Sequence, residues 1–470
     1  MRADTRSCDR PRSSGRAVDT LDATGECRGA GWIVDDRERH VRLDTDPYLQ
    51  RYAARVGGMK ASEIRALFAV ASRPEVVSFA GGMPATSALD MEAVEAVAAR
   101  VIRDHGATAL QYGVGQGRAE LRGLLTDVMH HEGVPCHADD LVITVGGQQA
   151  LDLIARCFLD PGDIVLAEGP TYVGGIGAMN SNQAEIRHVP MDADGMQVDV
   201  LEVMLEELVH EGRRAKYVYT IPNHQNPAGV SMSLERRHRL AELAELHDLL
   251  IVEDNPYGLL DFAGVTHPSI RQLIPERVIY VGTVSKIFAP GVRTGWIAAP
   301  RPVRDKLVLL REAADLCPSN LTQMVVETWL TTQPWREQIK RFTEVYREKA
   351  ELMLGALASE MPEGVRWTVP GGAFYIWLTV PRGIDTSDLL AKAVAQRVAY
   401  VPGRGFYADG SGGDKARLCF SFPEVSRIHE GVSRLGELLH AELDLVRAVY
   451  GDDAPQFRPR HDGPAGGLGG

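Results

Sequence analysis

Short apolar runs recur through the middle of the chain at residues 141–145, 164–167, 216–221, 249–253 and 278–282, each bounded by turn-forming residues. Runs of this length, apolar without strict alternation, are the pattern of strands covered on both faces. Between them lie stretches of helical period: Leu151, Ile154 and Phe158 share one face, and residues 233–247 carry another such stretch. The alternation predicts an α/β fold, with a large domain over residues 90–325 built on a mostly parallel, doubly wound sheet. A long helical region at 303–361, interrupted by Pro318 and Pro334, leads into a smaller α+β domain over residues 326–450. There, strands at 374–378 and 417–422 flank a helix at 387–396. Residues 46–89 are expected to give an N-terminal arm and part of the small domain, a helix followed by an extended segment that turns at Pro84. The first 45 residues, rich in Arg, Asp, Gly and Ser, read as a flexible extension, although a start codon set too far upstream would look the same. Residues 451–470, rich in Gly, Pro and Asp, read as a disordered tail. There is no internal repeat.

Composition narrows the function classes. A chain of 470 residues exceeds what one small core needs, so at least two domains are expected. Lys plus Arg number 51 against 63 Asp plus Glu, a net charge of -12 with no basic block, which argues against nucleic-acid binding. The six cysteines show no metal-ligand spacing, so reduced thiols in a cytoplasmic protein are expected and no metal site. No apolar run reaches membrane-spanning length and no signal-peptide core opens the chain.

The candidate chemistry gathers at the strand ends. The run at 278–282 leads into Thr283-Val284-Ser285-Lys286, with Arg293 seven residues further on. This places an amine among small and hydroxyl residues at the end of a buried strand. Asp254 and Tyr257 close the run at 249–253, and Asn226 follows the run at 216–221 in Gln225-Asn226-Pro227. Together these describe a site for pyridoxal 5'-phosphate. A lysine amine forms a Schiff base with an aldehyde, an amino acid displaces it by exchange, and the freed amine then serves as a base. A carboxylate opposite the ring nitrogen raises its basicity, the role expected of Asp254. Asn226 and Tyr257 can donate hydrogen bonds to the ring oxygen and lower the pKa of the imine. Arg293, Thr283 and Ser285 would meet the phosphate. A second phosphate element is the strand at 141–145 running into Gly146-Gly147-Gln148, where glycines let backbone N–H groups approach an anion at a helix N-terminus. Taken singly, each of these short motifs is more often a turn or a surface loop. Their succession after consecutive strands of one parallel pattern, where such sheets bind ligands, points to a site.

The chain resembles the fold type I, pyridoxal-phosphate-dependent aminotransferases of class I/II over about residues 50–445. Within them it is most similar to the branch of the 2-aminoadipate and kynurenine aminotransferases, to which the effector domains of MocR-type regulators are related. The resemblance is carried by Ser78-Phe79-Ala80-Gly81-Gly82-Met83-Pro84, Leu110-Gln111-Tyr112-Gly113, Pro222-Asn223-His224-Gln225-Asn226-Pro227, Val252-Glu253-Asp254-Asn255-Pro256-Tyr257 and Pro370-Gly371-Gly372-Ala373-Phe374. It implies that Tyr172 stacks on the cofactor ring and that Gly147 and Gln148 help to bind the cofactor. It further implies that Tyr112 reaches the cofactor of a neighbouring subunit in a homodimer. Arg417 would bind the substrate α-carboxylate, a role suited to a planar guanidinium. Gly81 and Gly82 would let backbone approach the substrate. Arg65 would meet an acidic substrate side chain, although a helix-surface arginine fits that position equally well, and Arg404 is a weaker candidate for the same neighbourhood.

Transfer of an amino group between an L-amino acid and a 2-oxo acid through a Lys286 Schiff base is therefore the leading expectation. The same cofactor and fold also serve lyases, cyclases and oxidases of amino acids, and the motifs do not separate these outcomes. A non-catalytic ligand-sensing regulator is disfavoured, because about 45 irregular residues are too few for the DNA-binding domain such proteins carry.

Overall fold

The computed structural model describes residues 46–48, 51–57 and 73–451. The chain divides into an N-terminal unit of residues 1–52 and a body of residues 53–470. In the first unit the Arg51 N–H donates to the Tyr48 carbonyl, closing a turn.

The body begins with a short helical turn, Ala54–Gly57, and the two-residue strand β1 (Val77–Ser78). Eight strands then build the large sheet: β2 (Leu141–Thr144), β3 (Ile164–Gly169), β4 (Glu185–Asp192), β5 (Gly195–Met196), β6 (Ala215–Thr220), β7 (Leu250–Asp254), β8 (Val278–Thr283) and β9 (Gly295–Ala298). Their order across the sheet is β2-β9-β8-β7-β6-β3-β4-β5. The pairs β8/β7, β7/β6, β6/β3 and β3/β4 are parallel, whereas β9 runs antiparallel to both its neighbours and β5 antiparallel to β4. Because β9 opposes both β2 and β8, those two share a direction. The C-terminal ends of β2, β3, β6, β7 and β8 therefore open on one edge of the sheet.

Both faces of this sheet are covered, which is why its strands read as apolar runs. Ile164, Leu166, Val218 and Ile251 face one core, filled from the other side by Leu201, Leu205 and Leu208 of helix Val198–His210 and by Leu240 and Leu243 of helix Leu234–Leu246. The alternate residues Val165, Ala167, Tyr217, Tyr219 and Val252 face the opposite core with Leu151 and Ile154 of helix Gly146–Phe158. Helix Leu234–Leu246 starts where Ser233 accepts from the Arg236 N–H at 3.4 Å, an N-cap.

The expected strands of the large sheet lie within a residue or two of those observed, the expected strand at 417–422 is found two to three residues earlier at Lys415–Cys419, and the α/β class and mostly parallel sheet are as the pattern predicted. Three strands of the sheet were not foreseen, β4, β5 and β9. The long helical region resolves into Arg301–Asp315, Asn320–Thr332 and Trp335–Glu360, broken at Pro318 and Pro334. Beyond it, β10 (Arg366–Trp367), β11 (Tyr375–Thr379), β13 (Val401–Pro402) and β14 (Lys415–Cys419) form an antiparallel sheet in the order β10-β11-β14-β13, while β12 (Val398–Ala399) pairs with β1. Helix Thr386–Ala395 lies between β11 and β12 in the chain, and helix Val425–Tyr450 follows β14. Among the described residues no helix is long and apolar enough to cross a membrane.

Candidate active site

Three residues past the end of β8, Lys286 directs its amine onto the Gly82 carbonyl at 2.8 Å. The amine stands 5.3 Å from the ring centre of Phe374 and 6.0 Å from that of Tyr257. Burial lowers its pKa to about 8; the cations Arg417 and Arg293 push the same way, against Cys419 and Asp254. An amine in such surroundings spends a sizeable fraction of its time neutral near physiological pH, which a surface lysine does not.

Asp254 is the last residue of β7 and is buried. Burial raises its carboxyl to about 6, against the hydrogen bond from Tyr219 and the charge of Lys286. The Tyr219 hydroxyl donates to Oδ2 at 2.7 Å. A buried carboxylate served by one neutral donor is electrostatically short of a cation, and a protonated ring nitrogen supplies one.

After β6 the chain turns through Gln225 and Asn226. The Asn226 Oδ1 accepts from Arg417 Nη1 at 3.0 Å, which fixes the amide and leaves Nδ2 as a donor for another group. Gln225 anchors this turn, since its Nε2 donates to Glu168 Oε2 at 3.0 Å and to the Pro170 carbonyl at 2.7 Å. The loop bearing Asn226 is thereby tied to the loop bearing Tyr172. Glu168, raised by burial to about 7, also accepts from Thr220 at 2.6 Å and from the Ile221 N–H at 3.1 Å.

An anion cradle lies at the start of helix Gly146–Phe158. Gly146 takes a φ of +74°, and a Cβ there would fall 2.5 Å from Arg293 Nη2. The backbone there favours glycine, and any side chain would have to push the guanidinium aside. Arg293 Nη2 donates to the Val145 carbonyl at 3.1 Å, so its charge lies against the first turn of the helix, where free N–H groups and the helix dipole favour an anion. Thr283 and Ser285 contribute hydroxyls 2.9 Å apart. Gln148 bridges to Tyr172, whose hydroxyl donates to it at 3.3 Å. Amine, carboxylate and anion cradle thus fit an aromatic aldehyde phosphate.

Arg417, on β14, is 3 % exposed. Its Nη2 donates to the Ala80 and Gly81 carbonyls at 3.1 Å each, and its guanidinium lies 4.5 Å from the ring centre of Tyr375 and 5.2 Å from that of Phe406. Its Nε has no partner. A buried unpaired donor on a guanidinium invites an anion. Gly81 and Gly82 therefore carry the carbonyls that hold Arg417 and Lys286, and a Cβ on Gly82 would fall 2.7 Å from the Tyr375 hydroxyl.

Lys286, Asp254, Asn226, Tyr257, Tyr172, Gly147, Gln148, Thr283, Ser285, Arg293, Arg417, Gly81 and Gly82 are thus placed on the loops at one edge of the large sheet and on the segments facing it. Tyr112 is not joined to them by any hydrogen bond or ring contact among the described residues and is 75 % exposed. Arg65 lies outside the described residues. The Arg404 guanidinium is engaged by Asp385 and the Gly410 carbonyl. The sequence reading passed over Tyr219, Gln225, Glu168 and Tyr375. Their one signal is their place close in sequence to candidates, Glu168 before Tyr172, Tyr219 and Gln225 before Asn226, and Tyr375 after the Pro370-Gly371-Gly372-Ala373-Phe374 motif.

The model of the family described as aminotransferase class I and II matches residues 74–435. The chain belongs to this family. It is 43 % identical over 403 residues to aromatic-amino-acid aminotransferase 1 of Thermococcus litoralis, a match covering 85 % of the chain and 96 % of the relative. The multiple substrate aminotransferase of Thermococcus profundus superposes with a TM-score of 0.81 at 40 % identity, over 85 % of this chain and all of the other. The α-aminoadipate aminotransferase of Thermus thermophilus, solved with N-(5'-phosphopyridoxyl)-L-leucine, superposes with a TM-score of 0.78 at 37 % identity, over 84 % and 99 %. The protein is an aminotransferase of the fold type I class, and its family implies pyridoxal phosphate as cofactor with an amino acid and a 2-oxo acid as substrates.

Proposed function

We propose that this aminotransferase carries its cofactor on the Lys286 amine and moves an amino group between an L-amino acid and a 2-oxo acid, in a site completed by a second copy of the chain. The observation that carries this reading is the Lys286 amine itself, lowered to about 8 by burial and standing among Asp254, Arg293 and Arg417. When bound, pyridoxal phosphate supplies an electrophilic carbon and an electron-withdrawing ring that stabilises negative charge at the substrate α carbon. Arg293, Thr283, Ser285, Gly147 and Gln148 hold the phosphate. Tyr172 covers the ring face, Asp254 holds a proton at the ring nitrogen, and Asn226 Nδ2 and the Tyr257 hydroxyl donate to the ring oxygen. Arg417 binds the substrate carboxylate. Lys286, leaving the Gly82 carbonyl, takes the α proton, a transfer its lowered pKa favours near neutral pH.

A panel of aromatic, acidic and aliphatic amino donors, each offered to 2-oxoglutarate and to pyruvate with products followed by mass, tests the reaction. The relatives named for aromatic amino acids and for aminoadipate mark the two side-chain classes to try first. Keto acid formation that depends on the acceptor is the expected result. Keto acid formed without an acceptor would instead assign the chain to another fate of the same cofactor.

Partnership with a second copy is supported by Leu110, Tyr112 and Val114, which are 72 %, 75 % and 62 % exposed in one short segment. Such a patch is costly to leave in water, and tyrosine is favoured at interfaces. Light scattering is expected to return twice the chain mass, and a monomer at micromolar concentration would remove the shared site.

A further inference from the structure

Tyr375 opens β11 beneath the candidate site and has no role in the reading above. It is 2 % exposed and meets three parts of that site at once. Its hydroxyl lies 3.2 Å from the Tyr257 hydroxyl, and its ring face lies 4.5 Å from the Arg417 guanidinium. The same hydroxyl packs against Gly82 so closely that no side chain fits there.

Each tyrosine hydroxyl has one proton to donate. In the pair Tyr257 and Tyr375 either oxygen can be the donor. If Tyr257 donates to Tyr375, no proton is left for the cofactor ring oxygen. Only the opposite direction, Tyr375 to Tyr257, frees the Tyr257 proton. A ring oxygen bearing negative charge is a stronger acceptor than a neutral phenol, so its arrival draws the Tyr257 proton outward and leaves Tyr375 to donate behind it. Hydrogen bonds in such a chain polarise one another, so the second phenol strengthens the first.

We propose that Tyr375 is a positioning residue of the reaction: its hydroxyl orients Tyr257 as the donor to the cofactor ring oxygen, and its ring face holds Arg417 for the substrate carboxylate. This rests on the placement of the cofactor against Asn226 and Tyr257 given above. One side chain thereby joins the group that tunes the cofactor to the group that grips the substrate. For an ordinary core tyrosine it would not matter which of the two hydroxyls donates, and a phenylalanine would then serve the reaction as well.

The test compares holoenzyme of wild type, Tyr375→Phe, Tyr257→Phe and Tyr375→Leu by the pH titration of the bound cofactor's absorbance and by steady-state kinetics. Tyr375→Phe keeps the ring over Arg417 and removes only the hydroxyl. It is expected to move the titration midpoint upward in the same direction as Tyr257→Phe but by less, roughly 0.2–0.6 pH unit, and to lower kcat with KM for the amino acid unchanged. Tyr375→Leu also removes the ring and is expected to raise KM roughly 2- to 5-fold. A Tyr375→Phe midpoint equal to wild type beside a shifted Tyr257→Phe overturns the inference and leaves the cofactor placement standing. If Tyr257→Phe also leaves the midpoint unmoved while Lys286→Ala abolishes the imine absorbance, Tyr257 and Tyr375 both lose their roles and Lys286 keeps its own.

Discussion

Replacing Lys286 by alanine is expected to stop transamination, with a loss of roughly 10⁴-fold or more, because one residue is asked both to hold the cofactor and to move the α proton. Treatment of wild-type holoenzyme with borohydride should fix the cofactor mass on the peptide that contains Lys286, and the variant should take up none covalently. Stability should move the other way. Burial puts the folded-state pKa at about 8, below the 10.5 of a free lysine, so the folded chain resists protonation. Stability falls as pH drops from about 10.5 to 8 and stays lower beneath that, at a cost on the order of 1–3 kcal/mol. Alanine removes the cost, and the cofactor-free variant at pH 7 should melt no lower than wild type. An inactive variant that also melted much lower would point to collapse of the segment from Thr283 to Arg293 instead of lost chemistry. A variant with near-normal turnover would overturn the assignment of Lys286.

How much of this was legible before the fold was known follows from how each element is buried. Strands β3, β6, β7 and β8 are covered on both faces, so they appear as uninterrupted apolar runs, and Asp254 and Lys286 could be placed at or just past their ends. Strand β4 is half-exposed along most of its length and carries Glu185, Arg187 and His188, so its pattern is that of a surface loop. β9 has only four residues and runs against its neighbours, a direction that apolarity does not encode. The partner of Arg404 was not legible because Asp385 lies 19 residues upstream, across a helix and two short strands. Tyr219 and Tyr375 sit inside apolar runs, where a tyrosine is most simply a core residue; only their hydroxyl contacts, to Asp254 and Tyr257, set them apart.

The second large effect concerns Asp254. Asp254→Asn keeps the shape of the side chain, and its carbonyl oxygen can still accept from Tyr219. What it loses is the negative charge that keeps a ring nitrogen protonated. The cofactor should therefore still bind, held by the phosphate cradle and Lys286, while kcat falls roughly 10²- to 10⁴-fold. The same change should stabilise the cofactor-free protein. Burial lifts Asp254 to about 6 from an ordinary value near 3.8, so the fold favours its protonated form. That contribution is fully present below about pH 4 and is lost as pH rises to about 6, a difference of up to on the order of 3 kcal/mol. Glu168, raised to about 7, acts in the same direction, so the informative quantity is the difference between wild type and variant rather than either curve alone. Without cofactor, Asp254→Asn should melt above wild type at pH 8 and converge with it near pH 4. With cofactor, the gap at pH 8 should close or reverse, because wild type then faces its charge with a cation and the variant does not. If the two melting curves stayed parallel across that range, with and without cofactor, Asp254 would not be the buried charge that the ring nitrogen answers.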